Sequence, residues 1–182
     1  MSSGVGQSSG VGQSSGVGQS SGVGQSSGGR HAADAGELPG YRLVNGPPLV
    51  TDYLALRRAT GLTPRRADQA AAAIDGSWSA VHVVEHETGK TVAMGRVLGD
   101  GGWYFHVVDM AVAPEHQRRG LGAAVLSALL ESIRQGAPSG AYVNLLADPP
   151  GRKLYARHGF RETAPDSVGM ARVIDDSGTS IG

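Results

Sequence analysis

The sequence predicts an α/β domain built on a mixed, mostly antiparallel central sheet with flanking helices. Three observations carry that prediction. Three β-rich segments between Trp78 and Val112 are separated by the turn signals Thr88-Gly89-Lys90 and Asp100-Gly101-Gly102, which makes an antiparallel meander. An amphipathic helix follows, with Leu121, Val125, Leu129 and Ile133 on one stripe. After it, "AYVNLLA" from Ala141 is a nearly continuous apolar run, the pattern of a buried parallel strand.

The elements follow in order. "YRLVN" from Tyr41 alternates as a strand does, and Pro47-Pro48 breaks it. Thr51 caps a helix carrying Tyr53, Leu54 and Leu56. "TPRRADQAAAAI" from Thr63 is a second helix with Pro64 at its first position, stopped by Asp75-Gly76. "WSAVHVVEHE", "TVAMGRVLG" and "WYFHVVDMAV" form the meander, which Pro114 ends. The long helix runs from about Arg119 to Gln135, closed by Gly136 and Pro138. "GRKLYARHG" is a brief helix with Gly159 as its cap. "FRET" and "SVGMARVI" read as a final strand pair, giving the order β-α-α-β-β-β-α-β-α-β-β.

The chain outside this domain is different in kind. Residues 2–25 repeat Ser-Ser-Gly-Val-Gly-Gln four times. One valine in six residues buries too little surface to offset ordering entropy, so residues 1–37 read as a flexible tail or linker, natural or engineered. Residues 38–174 form the folded domain, and 175–182 are a loose end.

Composition excludes several function classes. The 16 basic and 16 acidic residues cancel, which argues against nucleic acid or a polybasic membrane contact as partner. No apolar run approaches the ~20 residues of a membrane span, and no secretory signal pattern opens the chain. Zero cysteines exclude a disulfide framework, a thiolate zinc site and a cysteine nucleophile. Those features fit the cytoplasm. His82 and His86 share a strand face but lie about 13 Å apart along it, so no metal site is expected.

Gln117-Arg118-Arg119-Gly120-Leu121-Gly122 places glycine and positive charge at the start of the long helix. The first turn of a helix leaves N–H groups unpaired and carries the positive end of the dipole. The stretch is therefore either an anion cradle or a glycine-bearing helix start with a solvated arginine pair. It is neither a Walker loop nor a dinucleotide fingerprint.

The surrounding "VDMAVAPEHQRRGLGAAVLSALL" resembles the acetyl-CoA-binding motif of the GNAT acetyltransferases, a strand ending in Val and then Gln/Arg-x-x-Gly-x-Gly/Ala opening a long helix. "LYARHGF" from Leu154 resembles the Leu-Tyr-x-x-x-Gly-Phe ending of the same family. The resemblance implies that the strand ending at Val112 and the strand from Ala141 run parallel and splay apart. Pantetheine would lie in that gap against Met110, Ala111 and Val112. The pyrophosphate would sit on the N–H groups of Gln117, Arg118, Arg119, Gly120, Leu121, Gly122 and Ala123. Acetyl-CoA is then the cosubstrate of an N-acetyltransferase, an acyltransferase in which the acceptor amine attacks directly.

An alkyl amine of pKa about 10.4 is neutral in only about one molecule in 2,500 at pH 7, so such an enzyme needs a base. His106 is the first candidate, because a catalytic Glu or His of relatives falls six residues before the same Val. A histidine packed on the sheet is the other reading. Asp109 is the rival. Strand alternation puts His106, Val108 and Met110 on one face and Asp109 on the other, unless a bulge near Met110 turns Asp109 inward. Otherwise Asp109 is a structural, hydrogen-bonded carboxylate. Tyr155 matches the tyrosine that protonates the coenzyme A thiolate in this family, or it is an aromatic plug. Where relatives carry a cofactor-binding Asn, this chain has Asp148, which loses the amide donor. The acceptor expected is a small-molecule primary amine. A protein or peptide lysine or N-terminus, and a non-catalytic acyl-CoA-binding module, stay open, as does a homodimer.

Overall fold

A computed structural model describes residues 38–174. The repeat tail read at 1–37 and the loose end at 175–182 lie outside the described residues. Strand β1 (Tyr41–Asn45) is followed by helices α1 (Val50–Ala59) and α2 (Ala67–Asp75). The meander is β2 (Ser79–Glu85), β3 (Thr91–Gly99) and β4 (Tyr104–Val112). A 3₁₀ turn at Pro114–His116 leads to α3 (Leu121–Gly136), β5 (Tyr142–Leu145) and α4 (Arg152–Arg157).

The sheet order is β1-β2-β3-β4-β5, antiparallel except for the parallel pair β4–β5. The core is one cluster, with Val81, Val83, Val97, Phe105, Leu121, Val125, Leu126 and Leu129 at its most buried centre. Helix α3 packs across β2, β3 and β4 through the stripe of Leu121, Val125, Leu129 and Ile133. The opposite face of β3 and β4 receives α1, and Arg96 of β3 reaches the Ala73 carbonyl of α2 at 2.9 Å.

Several expectations need correction. Helix α2 begins at Ala67 rather than Thr63, and Pro64 stands outside it. The Thr63 carbonyl accepts two N–H groups from Arg57 at 3.0 and 2.8 Å, which commits that segment to a link. The Gln69 side chain accepts the Arg66 N–H at 3.2 Å and closes the new helix start. Thr51 lies inside the first turn of α1, whose N-cap is Leu49. Helix α3 begins at Leu121, two residues after the expected Arg119, because Arg118 (φ 61°) and Gly120 (φ 84°) are left-handed. The final strand pair is absent among the described residues. A turn at Thr163–Ser167 containing Pro165 interrupts it. The alternating side chains that would have faced a sheet stay in solvent, with Met170 92% and Ile174 82% exposed.

Candidate active site

The geometry of β4 decides where its side chains go. Met94 pairs with Ala111, but Arg96 pairs with Val108, so Asp109 and Met110 together oppose Gly95. This is a β-bulge, and Asp109 takes φ 55° to make it. Gly95 is required there, because a Cβ would lie 2.6 Å from the Met110 sulfur and 2.8 Å from Val125. Met110 therefore points toward α3, and Asp109 turns to the α1 side. Simple alternation had put His106 and Met110 on one face with Asp109 on the other. The extra residue reverses that and places Asp109 on the face of His106.

Asp109 is fully engaged. It accepts the Tyr53 hydroxyl at 2.6 Å, the Arg96 Nε–H at 2.5 Å and an N–H from Arg57. Burial pushes its pKa up, but Tyr53 and the two guanidiniums outweigh that and hold the carboxyl below its usual range. Arg57 is only 5% exposed, so the cluster ties α1 to the sheet in low dielectric. Arg96 carries the tie on to α2 through Ala73 and Ser77. Sequence reasoning missed this role of Arg96. Its signal was a cation inside the apolar run "TVAMGRVLG", which needs a buried partner.

The motif residues of the second region converge. Pairing between β4 and β5 stops at Val107–Leu145, while β4 continues to Val112, so the last five residues of β4 have no strand partner on that side among the described residues. No side chain caps α3 and its first turn holds no acid. Gly120 supplies the left-handed turn that aims the first N–H groups of α3 outward. A Cβ on Gly122 would meet Val112 and Leu154 at 3.5 Å, ordinary contact. Packing within the protein therefore does not demand glycine at 122. The same contacts bring the end of β4, the start of α3 and α4 together.

The flanking side chains are less free than the sequence suggests. Gln117 donates to the Val112 carbonyl at 3.1 Å. Arg119 donates to the Tyr41 hydroxyl at 2.8 Å and the Glu115 carbonyl at 3.1 Å. The buried His116 holds that tyrosine from the other side at 2.9 Å. Arg118 makes no ion pair among the described residues.

Tyr155 is placed by the end of its own helix. The Phe160 N–H bonds back to the Tyr155 carbonyl, and the Gly159 N–H to that of Ala156, with Gly159 at φ 85°. This is a Schellman motif, and Phe160 packs edge-on against the Tyr155 ring at 6.1 Å. The Leu-Tyr-x-x-x-Gly-Phe pattern is thus partly a helix stop. The Tyr155 hydroxyl has no hydrogen-bond partner among the described residues. Burial, and then the charge of Asp148, raise its pKa, so the phenol keeps its proton through the neutral range. Asp148 lies in the turn after β5, its carbonyl accepting the Gly151 N–H at 2.9 Å.

His106 stands opposite Asn144 in the parallel β4–β5 register, and its Nδ1 contacts the Asn144 Oδ1. No cluster of metal-ligating side chains occurs among the described residues, and none of their helices is long and apolar enough to cross a membrane. A small cavity of about 10 Å³ beside Arg96 and Asp109 holds no more than a water, and a cleft of about 310 Å³ beside Trp78 lies away from these motifs.

Comparison with known proteins bears on this arrangement. The acetyltransferase (GNAT) domain model matches residues 77–162. No curated protein matches the chain. A probable acetyltransferase from meticillin-resistant Staphylococcus aureus is 33% identical, with TM-score 0.68 over 72% of this chain and 97% of its own. A GNAT family protein of Streptococcus pneumoniae shares the fold at 21% identity, TM-score 0.59, over 73% and 97% of the two chains. So does the ribosomal-protein-S18-alanine N-acetyltransferase of Escherichia coli, at 17% identity, TM-score 0.57, over 77% and 88%. With the parallel β4–β5 pair, the glycine-opened α3 and these matches together, the chain belongs to the GNAT acetyltransferase family.

Proposed function

We propose that this chain is an acetyl-CoA-dependent N-acetyltransferase acting on the primary amine of a small molecule. The observation that carries the reading is the start of α3. Its N–H groups are uncapped, and Gly122 lacks a Cβ that the protein itself could accommodate. That cradle suits a pyrophosphate. Bound there, acetyl-CoA would supply an activated acetyl thioester. Met110, Ala111 and Val112 lie where β4 has run past its pairing with β5, the Val112 carbonyl being held by Gln117, and Gln117–Ala123 would hold the phosphates.

The remaining roles belong to side chains. His106, whose imidazole can both accept and release a proton, is assigned the base that takes the amine proton. Tyr155, protonated and without a protein partner, is assigned the acid. Asp148 assists by keeping that proton on the phenol, which gives its charge a use that an Asn would not have. Asp109 has three donors and a lowered pKa, which supports a holding part over proton transfer. A thiol-release assay over a panel of amines tests the reading. Turnover with small amines supports it; turnover confined to peptide N-termini or lysines would move the acceptor to proteins, and release with none would leave only a binding module.

A further inference from the structure

We propose that Asn144 is the positioning residue of His106. Its amide oxygen takes the Nδ1 proton, fixes the Nδ1–H tautomer and leaves Nε2 carrying the lone pair. The inference rests on the assignment of His106 as base.

Asn144 is anomalous where it stands. Its neighbours on β5 are Tyr142, Val143 and Leu145, and a β-branched apolar residue would complete that strand. The amide instead has a buried Nδ2 with no hydrogen-bond partner among the described residues. Leaving a buried N–H unsatisfied is destabilising. Among the described residues its side chain makes one hydrogen bond, from Oδ1 to the His106 ring. The parallel register sets the two residues side by side on the same face, so the contact follows from backbone pairing rather than from a mobile loop.

The chemistry of that contact is directional. An amide oxygen only accepts, so the Nδ1 it touches must carry the proton. The neutral ring then has its lone pair on Nε2, where it can take a proton from an acceptor amine. The resulting imidazolium keeps its Nδ1–H on Asn144 and returns the Nε2 proton to solvent. A neutral amide fixes the tautomer without adding the charge stabilisation that a carboxylate would give the imidazolium.

Long-range proton–nitrogen correlation spectra of the ¹⁵N-labelled full chain report the ring tautomer directly, with His106→Gln assigning the signal. The wild type should show neutral His106 as Nδ1–H. Asn144→Val should lose that preference and lower kcat up to about 100-fold, the low end of what a general base supplies, with KM for acetyl-CoA within about twofold. Asn144→Asp keeps the acceptor and also covers the case in which the valine variant fails to fold. It should retain Nδ1–H and move the acid limb of the rate profile up by about one pH unit. An Nε2–H ring in the wild type, as an amide turned with Nδ2 toward the ring would give, overturns the proposal. So does an unchanged tautomer in Asn144→Val. Failure of the parent reading looks different: the tautomer would be as stated while His106→Ala leaves the pH profile unaltered.

Discussion

Replacing Asp109 with Asn separates a clasp from a reacting group. The carboxylate accepts from Tyr53, Arg57 and Arg96, and the Arg57, Arg96 and Asp109 side chains are 7%, 12% and 12% exposed. The amide removes the charge that compensates two buried guanidiniums. It keeps one oxygen for a donor and turns an NH₂ toward an arginine. Breaking a buried pair from one side costs about 3–5 kcal/mol, and the residual oxygen places this case near 3. At about 2.1 cal/mol/K per residue, a domain of roughly 140 residues unfolds with an entropy near 0.3 kcal/mol/K. The Tm by circular dichroism at pH 7 should therefore fall by about 10 °C. A fall under about 3 °C accompanied by lost turnover would refute the reasoning and make Asp109 part of the chemistry.

The remaining predictions concern the same residues and the cofactor cradle. Because the folded-state pKa of Asp109 is depressed, its contribution is complete above the unfolded value near 3.9 and is lost as pH falls below it. The Tm gap between wild type and Asp109→Asn should hold from pH 7 down to about pH 4 and narrow below it; a gap that stays constant down to pH 3 would contradict the ionised cluster. Gly122→Ala should leave Tm within about 2 °C, since the new Cβ meets only ordinary contacts, yet weaken acetyl-CoA binding at least about fivefold by calorimetry. Equal affinity would remove the cradle from the α3 start. Tyr155→Phe should lower kcat by about 100-fold or more with the acetyl-CoA Kd little changed, and an unaltered kcat would leave Tyr155 as packing.

Most of the architecture was legible in the sequence because periodicity and turn chemistry agree there. The meander and the stripe of α3 follow from local pattern; the apolar run of β5 is parallel as expected but not buried, because it is the sheet's edge strand, with Tyr142 46% exposed. The bulge near Met110 entered the sequence reading only as an alternative to strict alternation, and the structure adopts that alternative. One inserted residue leaves hydrophobic alternation almost intact while moving Asp109 to the other face of the sheet. The start of α2 was hidden for a similar reason, since Arg57 claims the Thr63 carbonyl through a tertiary bond that no local signal announces. "SVGMARVI" has strand alternation, but β5 offers an edge of only four residues and Pro165 interrupts the approach. Within the site, glycines and Tyr155 were visible through their motifs. Arg96 and Asn144 were visible only as polar residues interrupting apolar runs, a signal that names an anomaly without naming its partner.

Titration of acetyl-CoA into the full chain by calorimetry tests the central claim most directly. The account expects one site per chain with a Kd in the micromolar range, about −8 kcal/mol. No binding heat at millimolar acetyl-CoA, at two temperatures, would contradict it.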